Sequence, residues 1–165
     1  MSVQLEKNVI DAINDPGSIK VVATISKEGI PHVTPKGSIS LDENGRIRFL
    51  ELLEKSQTQK NLVYSIWFDK YVAINIITPD RKSYLLKGKI FKTINSGKVF
   101  QDAYVDVQKK LGTDIDLSAI WLVDITDVSE QTFAVRREIL ETAYPYEMHV
   151  DRLAKDEYRY DRVDN

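Results

Sequence analysis

The chain has 165 residues, of which 42% are hydrophobic and 29% are charged, and it contains no cysteine. A chain of this length is most simply one domain, so we predict that residues 1–165 form a single one. The lack of cysteine excludes disulfides, thiolate chemistry and cysteine-bound metals. The net charge of −2 argues against a protein that coats nucleic acid, which would normally carry a basic excess.

The sequence also lacks the signals of a membrane or secreted protein. No run of about eighteen apolar residues is present, so we expect no membrane span and no membrane partner. Residues 1–15, MSVQLEKNVIDAIND, lack the basic flank and apolar block of a secretory signal. With the absence of cysteine, this pattern predicts a cytoplasmic protein.

The first half of the chain reads as one helix and three strands. Leu5, Val9 and Ile13 recur every four residues, which predicts a helix over residues 3–13. The turn Asp-Pro-Gly ends this helix. Three runs then predict strands, the last of them after the hairpin signal DENG: IKVVATIS, IPHVTPKGSISL and RIRFLELL.

The second half begins with a short helix, KSQTQKNLVYSI. Ser56 is its predicted N-cap, because a serine oxygen can accept a hydrogen bond from a free amide of the first turn. YVAINIIT and SYLLKGKIFKT predict a second hairpin across the turn PDRK. A helix over residues 96–111 and a last strand, AIWLVDITDV, follow. The chain from about residue 128 is left unassigned.

The order of these elements determines the predicted fold. Consecutive strands joined by tight turns favour antiparallel pairing and argue against a parallel doubly wound sheet. We therefore predict an α+β fold that is mainly antiparallel, a six-stranded split β-barrel with flanking helices. Closing most of a small sheet in this way would bury most of its strand edges.

Three segments, GIPHVTPKGSISLDENGRIRF, KSQTQKNL and SYLLKGKIFKT, carry a resemblance in this order. Together they resemble the split-barrel flavin-binding family related to pyridoxamine 5′-phosphate oxidase. The shared features are a proline-bearing second strand, a D-x-x-G hairpin, a serine-containing turn that opens a helix, and a glycine between β-formers at Gly88. The similarity runs from about Ile19 to Val123.

This resemblance implies a homodimer with FMN bound at the dimer interface. The flavin ring would lie against the second strand, at Val33, Thr34, Pro35 and Lys36. The phosphate would lie where the short helix begins, and the candidates near it are Glu51, Ser56, Gln57, Thr58 and Lys60. Free amides and the positive end of the helix dipole favour an anion at such a position.

The sequence departs from the family at the phosphate turn. Flavin-binding relatives carry arginine or lysine at the positions of Ser56 or Thr58, and both residues are uncharged here, while Glu51 and Glu54 add negative charge. No serine–histidine pair or carboxylate pair stands out, so no catalytic residue and no metal ligand is predicted.

Two hypotheses of different classes therefore remain. The first is an FMN-dependent oxidoreductase that acts on a small-molecule substrate, with the chemistry supplied by the cofactor. The second is a non-enzymatic, dimeric binding module on the same barrel. Such a module would have lost FMN, or would bind another ligand such as haem or a deazaflavin.

Overall fold

The computed structural model describes residues 3–145. The helices are α1 (Lys7–Asn14), α2 (Gln57–Trp67), α3 (Lys98–Leu111) and α4 (Phe133–Ala143). The strands are β1 (Ile19–Ile25), β2 (Pro31–Pro35), β3 (Ser40–Leu41), β4 (Ile47–Glu51), β5 (Tyr71–Ile77), β6 (Ser83–Ile94) and β7 (Ala119–Glu130). Two compact units divide the chain at Ser129 and Glu130, and α4 belongs to the second. The single domain over residues 1–165 stays a prediction.

The strands form one sheet in the order β2-β1-β5-β6-β7-β4-β3. The pairs β1–β2, β1–β5, β5–β6, β4–β7 and β3–β4 are all antiparallel. This confirms the α+β, mainly antiparallel fold. Within residues 3–145 the sheet is not closed, since β2 and β3 stand at its two ends.

The sheet has seven strands where the sequence predicted six. The difference arises in the run over residues 30–41, which was predicted as one strand. Its chain turns after Pro35, and the amide of Ile39 donates to the carbonyl oxygen of Lys36 at 3.3 Å. The Lys36 amide still donates to the carbonyl oxygen of Lys20 on β1 at 2.9 Å, and the pairing of β2 with β1 ends at this turn. The remainder forms the separate two-residue strand β3.

The main core lies on one face of the sheet. Every second residue of β1 and of β5 is buried, as expected for strands with one face against a core. α1 packs against this core through Val9, Ala12 and Ile13. A smaller cluster forms around α3, where Ala103 packs with Leu117 and Ile120. Among residues 3–145, no helix is long and apolar enough to cross a membrane.

Gly88 provides a test of how closely β6 and β7 approach each other. A Cβ at this position would overlap the carbonyl oxygen of Asp124 and lie 2.9 Å from Cγ1 of Val123. We expect Gly88→Ala to lower the free energy of unfolding by about 1–3 kcal/mol, the usual cost of overpacking, measured by denaturant titration. Gly37→Ala is the control, because no atom lies within 4 Å of its Cβ. Equal losses for the two variants would contradict this close approach.

Candidate functional site

The start of α2 is capped as the sequence predicted. The Ser56 hydroxyl oxygen accepts a hydrogen bond from the Gln59 amide at 3.0 Å, which confirms Ser56 as the N-cap. The amides of Gln57 and Thr58, at the first two helical positions, have no assigned acceptor among residues 3–145. Two backbone donors are therefore available where the helix dipole favours an anion.

The other predicted phosphate contacts point in different directions. Thr58 is buried, on the same side of α2 as Asn61. Asn61 donates to the hydroxyl of Thr24 on β1 at 3.0 Å and accepts from the side chain of Gln57 at 2.7 Å. Lys60 is exposed. The structure thus leaves Ser56 partly exposed and Lys60 exposed, buries Thr58 against the sheet, and bonds the exposed Gln57 side chain to Asn61.

A further hydrogen bond joins α2 to the core of the sheet. The indole nitrogen of Trp121, on β7, donates to the side-chain oxygen of Gln59 at 2.8 Å. The Trp121 side chain is fully buried. Because Gln59 also supplies the amide that Ser56 caps, the first turn of α2 is held both by its own cap and by a core residue.

The four predicted flavin-ring contacts lie on both faces of the chain at β2. Val33 and Pro35 are exposed on one face, whereas Thr34 and Lys36 are partly buried on the other. This follows from the alternation of side chains along a strand. Only Val33 and Pro35 can therefore form part of a flat wall on the exposed face.

The exposed face of β2 continues across β1, β5 and β6. Val33 lies opposite Ala23, and Ala23 lies opposite Ala73. The apolar side chains on this face are all partly or fully exposed, and we call them the outer face: Val21, Ala23, Val33, Pro35, Ala73, Ile77 and Leu85. Asn75 and Lys87 lie among them, opposite Val21 and Ala73. A largely apolar sheet face of this kind is suited to a flat ligand or to another protein surface.

On the opposite face, Lys36 forms a buried ion pair with Glu51. The Lys36 ammonium nitrogen lies 2.7 Å from Oε2 of Glu51, and the side chains are 13% and 2% exposed. Oε1 of Glu51 accepts a hydrogen bond from the Leu53 amide at 3.2 Å. Two of the predicted cofactor-binding residues are thus already bonded to each other. Buried ions that lose their partner are strongly destabilising, so this pair is held tightly.

A second buried lysine, Lys20, lies opposite Lys36 and was not among the predicted site residues. Lys20 on β1 is only 9% exposed, and its carbonyl oxygen accepts the Lys36 amide at 2.9 Å. Residues directly opposite on antiparallel strands share a face, so both lysines face the same way. Within the part of the chain described, no carboxylate lies within 4.0 Å of the Lys20 amine. The sequence feature that could have indicated Lys20 is a charged residue at an inward-facing position of the predicted strand IKVVATIS.

A cavity of about 810 Å³ adjoins the start of α2. It is lined by the turn over residues 52–56, by Tyr104 of α3, and by residues 116–118 before β7. The Tyr104 hydroxyl donates to Asp116 at 2.9 Å, and this hydrogen bond raises the pKa of Tyr104 above its ordinary value. The volume is in the range of small-molecule sites, and Ser56 connects the cavity to the free amides of α2.

Solved structures with this fold include flavin-binding proteins. HupZ of Group A Streptococcus matches with a TM-score of 0.64 and 19% identity, over 79% of this chain and 96% of that protein. An FMN-binding protein from Syntrophomonas wolfei subsp. wolfei matches with a TM-score of 0.59 and 9% identity, over 77% and 84% of the two chains. A putative pyridoxamine 5′-phosphate oxidase from Lactobacillus delbrueckii matches with a TM-score of 0.54 and 16% identity, over 76% and 93%.

These likenesses confirm the resemblance at the level of the fold. Proteins solved as FMN-binding or as related to pyridoxamine 5′-phosphate oxidase share the architecture of this chain, and so does an F420 reductase. At these identities the likeness establishes the fold and leaves the ligand to be argued from the site. No protein-family model and no curated protein matches the chain.

The buried ion pair gives a test of how the site is held together. We expect Lys36→Met to lower the free energy of unfolding by about 3–5 kcal/mol, because it leaves the Glu51 carboxylate buried without its partner. In Lys36→Met/Glu51→Gln no charge remains, so most of that loss should be recovered. Denaturant titration of both variants and of Glu51→Gln completes a double-mutant cycle. Additive losses in this cycle would show that the two side chains do not interact.

Proposed function

We propose that this protein is a homodimeric FMN-binding protein and acts as an FMN-dependent oxidoreductase on a small-molecule substrate. The observation that carries the proposal is the coincidence of two features on one fold. The architecture is shared with solved FMN-binding proteins, and α2 presents free amides at the turn where the resemblance puts the phosphate. Neither feature alone would carry the proposal.

Each part of the proposed site has a separate task. Val33 and Pro35 offer apolar contact to the flavin ring, and the free amides of Gln57 and Thr58 donate to the phosphate. FMN, when bound, supplies electron or hydride transfer. The protein's own contribution is to position the ring, to exclude water from one side of it and to hold the phosphate.

The described residues fit FMN in two respects and oppose it in one. The outer face suits the ring, and the start of α2 suits an anion. Glu51 opposes the phosphate, because its carboxylate is buried near the turn and already holds Lys36. Binding of the phosphate would therefore depend on the backbone amides, the helix dipole and the exposed Lys60, against the opposing charge of Glu51. We expect a net contribution of about 0.3–1 kcal/mol, the size of a helix-dipole effect alone.

The first test compares FMN with riboflavin, which lacks the phosphate. A contribution of about 0.3–1 kcal/mol corresponds to a preference for FMN of about two- to fivefold, since about 1.4 kcal/mol is one decade. We expect calorimetric titration to give a preference in this range, and one that falls with added salt. Equal affinities for FMN and riboflavin at low salt would contradict the proposed location of the phosphate at the start of α2.

The second test concerns assembly through the outer face. We expect a twofold homodimer by light scattering, because an uncovered apolar sheet face is suited to a second copy. Val33→Glu places a charge on that face, and we expect it to shift the protein to monomer and to lower flavin affinity. Val99→Glu is the matched control, since Val99 on α3 is similarly exposed, at 55% against 60% for Val33. A wild-type monomer at micromolar concentration would contradict the proposed dimer.

A second candidate function is supported by the buried ion pair. A non-enzymatic dimeric binding module, which has lost FMN or binds haem or a deazaflavin, would have no need of a free cation at the phosphate turn. The Lys36–Glu51 pair is consistent with that. The visible spectrum of the protein purified without added cofactor separates the two candidates. A flavin spectrum supports the first candidate, whereas a haem spectrum supports the second.

A further inference from the structure

We propose that Glu51 is a specificity-determining residue that keeps phosphate recognition weak by holding Lys36. This inference rests on the proposed flavin site and goes beyond it. In this proposal the protein binds its ligand chiefly through contacts to the uncharged flavin ring. The preference for a phosphorylated ligand over the unphosphorylated one is then set by a single buried carboxylate.

The bonding of Glu51 leaves Lys36 no freedom to reach a ligand. One carboxylate oxygen accepts from the Lys36 ammonium at 2.7 Å, and the other accepts from the Leu53 amide at 3.2 Å. The Glu51 side chain is 2% exposed, so water cannot replace Lys36 as its partner at low cost. Lys36 would have to abandon this carboxylate before it could bind a phosphate.

Glu51 neutralises positive charge near the turn before α2. Lys20 and Lys36 lie opposite each other on β1 and just after β2, and Glu51 is the carboxylate that pairs with Lys36. Leu53, whose amide Glu51 holds, accepts through its carbonyl oxygen the Ser56 amide at 3.0 Å, one residue before α2. Without the negative charge of Glu51, the partly buried ammonium of Lys36 would stand unpaired close to the turn that offers free amides. Such an arrangement favours a phosphate dianion.

The hypothesis that the ion pair is purely structural predicts a different result. If Lys36 and Glu51 serve only to join two parts of the fold, changing them alters stability and leaves the ratio of the two flavin affinities unchanged. The measured quantity is therefore this ratio, the dissociation constant of riboflavin divided by that of FMN. It cancels effects on the ring contact and on the fraction of folded protein.

The experiment compares wild type, Glu51→Gln and Glu54→Gln by calorimetric titration with FMN and with riboflavin at low salt. In Glu51→Gln we expect the ratio to rise about tenfold above wild type, because one charged hydrogen bond to the phosphate becomes possible. Glu54→Gln removes the same charge from an exposed position three residues away, and we expect its ratio to stay within about twofold of wild type. An unchanged ratio in folded Glu51→Gln, or equal rises in both variants, would overturn the proposal.

The double variant Lys36→Met/Glu51→Gln keeps the proposal testable where Glu51→Gln fails to fold. It removes both charges, and neutral replacement of a buried pair is often tolerated. If Glu51 already prevents Lys36 from binding the phosphate, the ratio of the two dissociation constants in the double variant equals that of wild type. A fall of the ratio to one would show that Lys36 binds the phosphate in the wild-type protein, and would overturn the proposal.

A third probe separates this inference from the proposed function. If neither flavin binds to wild type or to the variants, the flavin proposal fails. Inorganic pyrophosphate then replaces FMN as the ligand, with thermal stabilisation as the readout. Stabilisation of Glu51→Gln beyond that of wild type and of Glu54→Gln supports the role of Glu51 in excluding phosphate. If the three proteins are stabilised equally, the proposed role of Glu51 is overturned.

Discussion

The ion pair between Lys36 and Glu51 connects parts of the sheet that the strand order separates. Lys36 follows β2, at one end of the sheet, and Glu51 ends β4, which lies next to the opposite end. A second contact accompanies it, since the Leu50 amide donates to the Ser38 hydroxyl at 2.9 Å. The short segment after β2 thus bridges the opening of the sheet by one charged and one neutral bond.

The location of this bridge explains why the candidate site lies where it does. The turn that leaves β4 is held by Glu51 through the Leu53 amide, and it leads directly into the Ser56 cap of α2. The position of the free amides is therefore fixed by the same carboxylate that opposes an anion there. If Glu51 has the proposed role, structure and specificity are coupled at this residue, because a change that frees Lys36 also alters one support of the turn.

The local features of the chain were predictable from the sequence. The DENG hairpin, the Ser56 cap and the antiparallel order depend on neighbouring residues and on side-chain alternation. Pro35 and Gly37 within the run over residues 30–41 suggest an edge or a bulge, but a separate strand β3 was not predicted, since a proline at a strand edge can either end or merely border the pairing.

The pairing of the buried charges was not predictable in the same way. The partner of Glu51 is fifteen positions away in sequence, across the opening of the sheet. Periodicity shows that a residue faces inward, yet it does not show which charge will meet it there. Lys20 was missed for the same reason, because its importance arises from the strand beside it. The burial of the Thr58 side chain follows from its position on α2, and the contact of this residue with a cofactor stays a prediction.

The hydrogen bond from Trp121 to Gln59 gives the protein a built-in optical reporter of its helix start. The chain has two tryptophans: Trp121 is buried against the first turn of α2, while Trp67 at the other end of that helix is 79% exposed. A soluble quencher such as iodide would quench the fluorescence of exposed Trp67 and leave that of buried Trp121. The remaining emission would then follow the polarity and hydrogen bonding of the turn, so that events at the candidate site can be observed without a label.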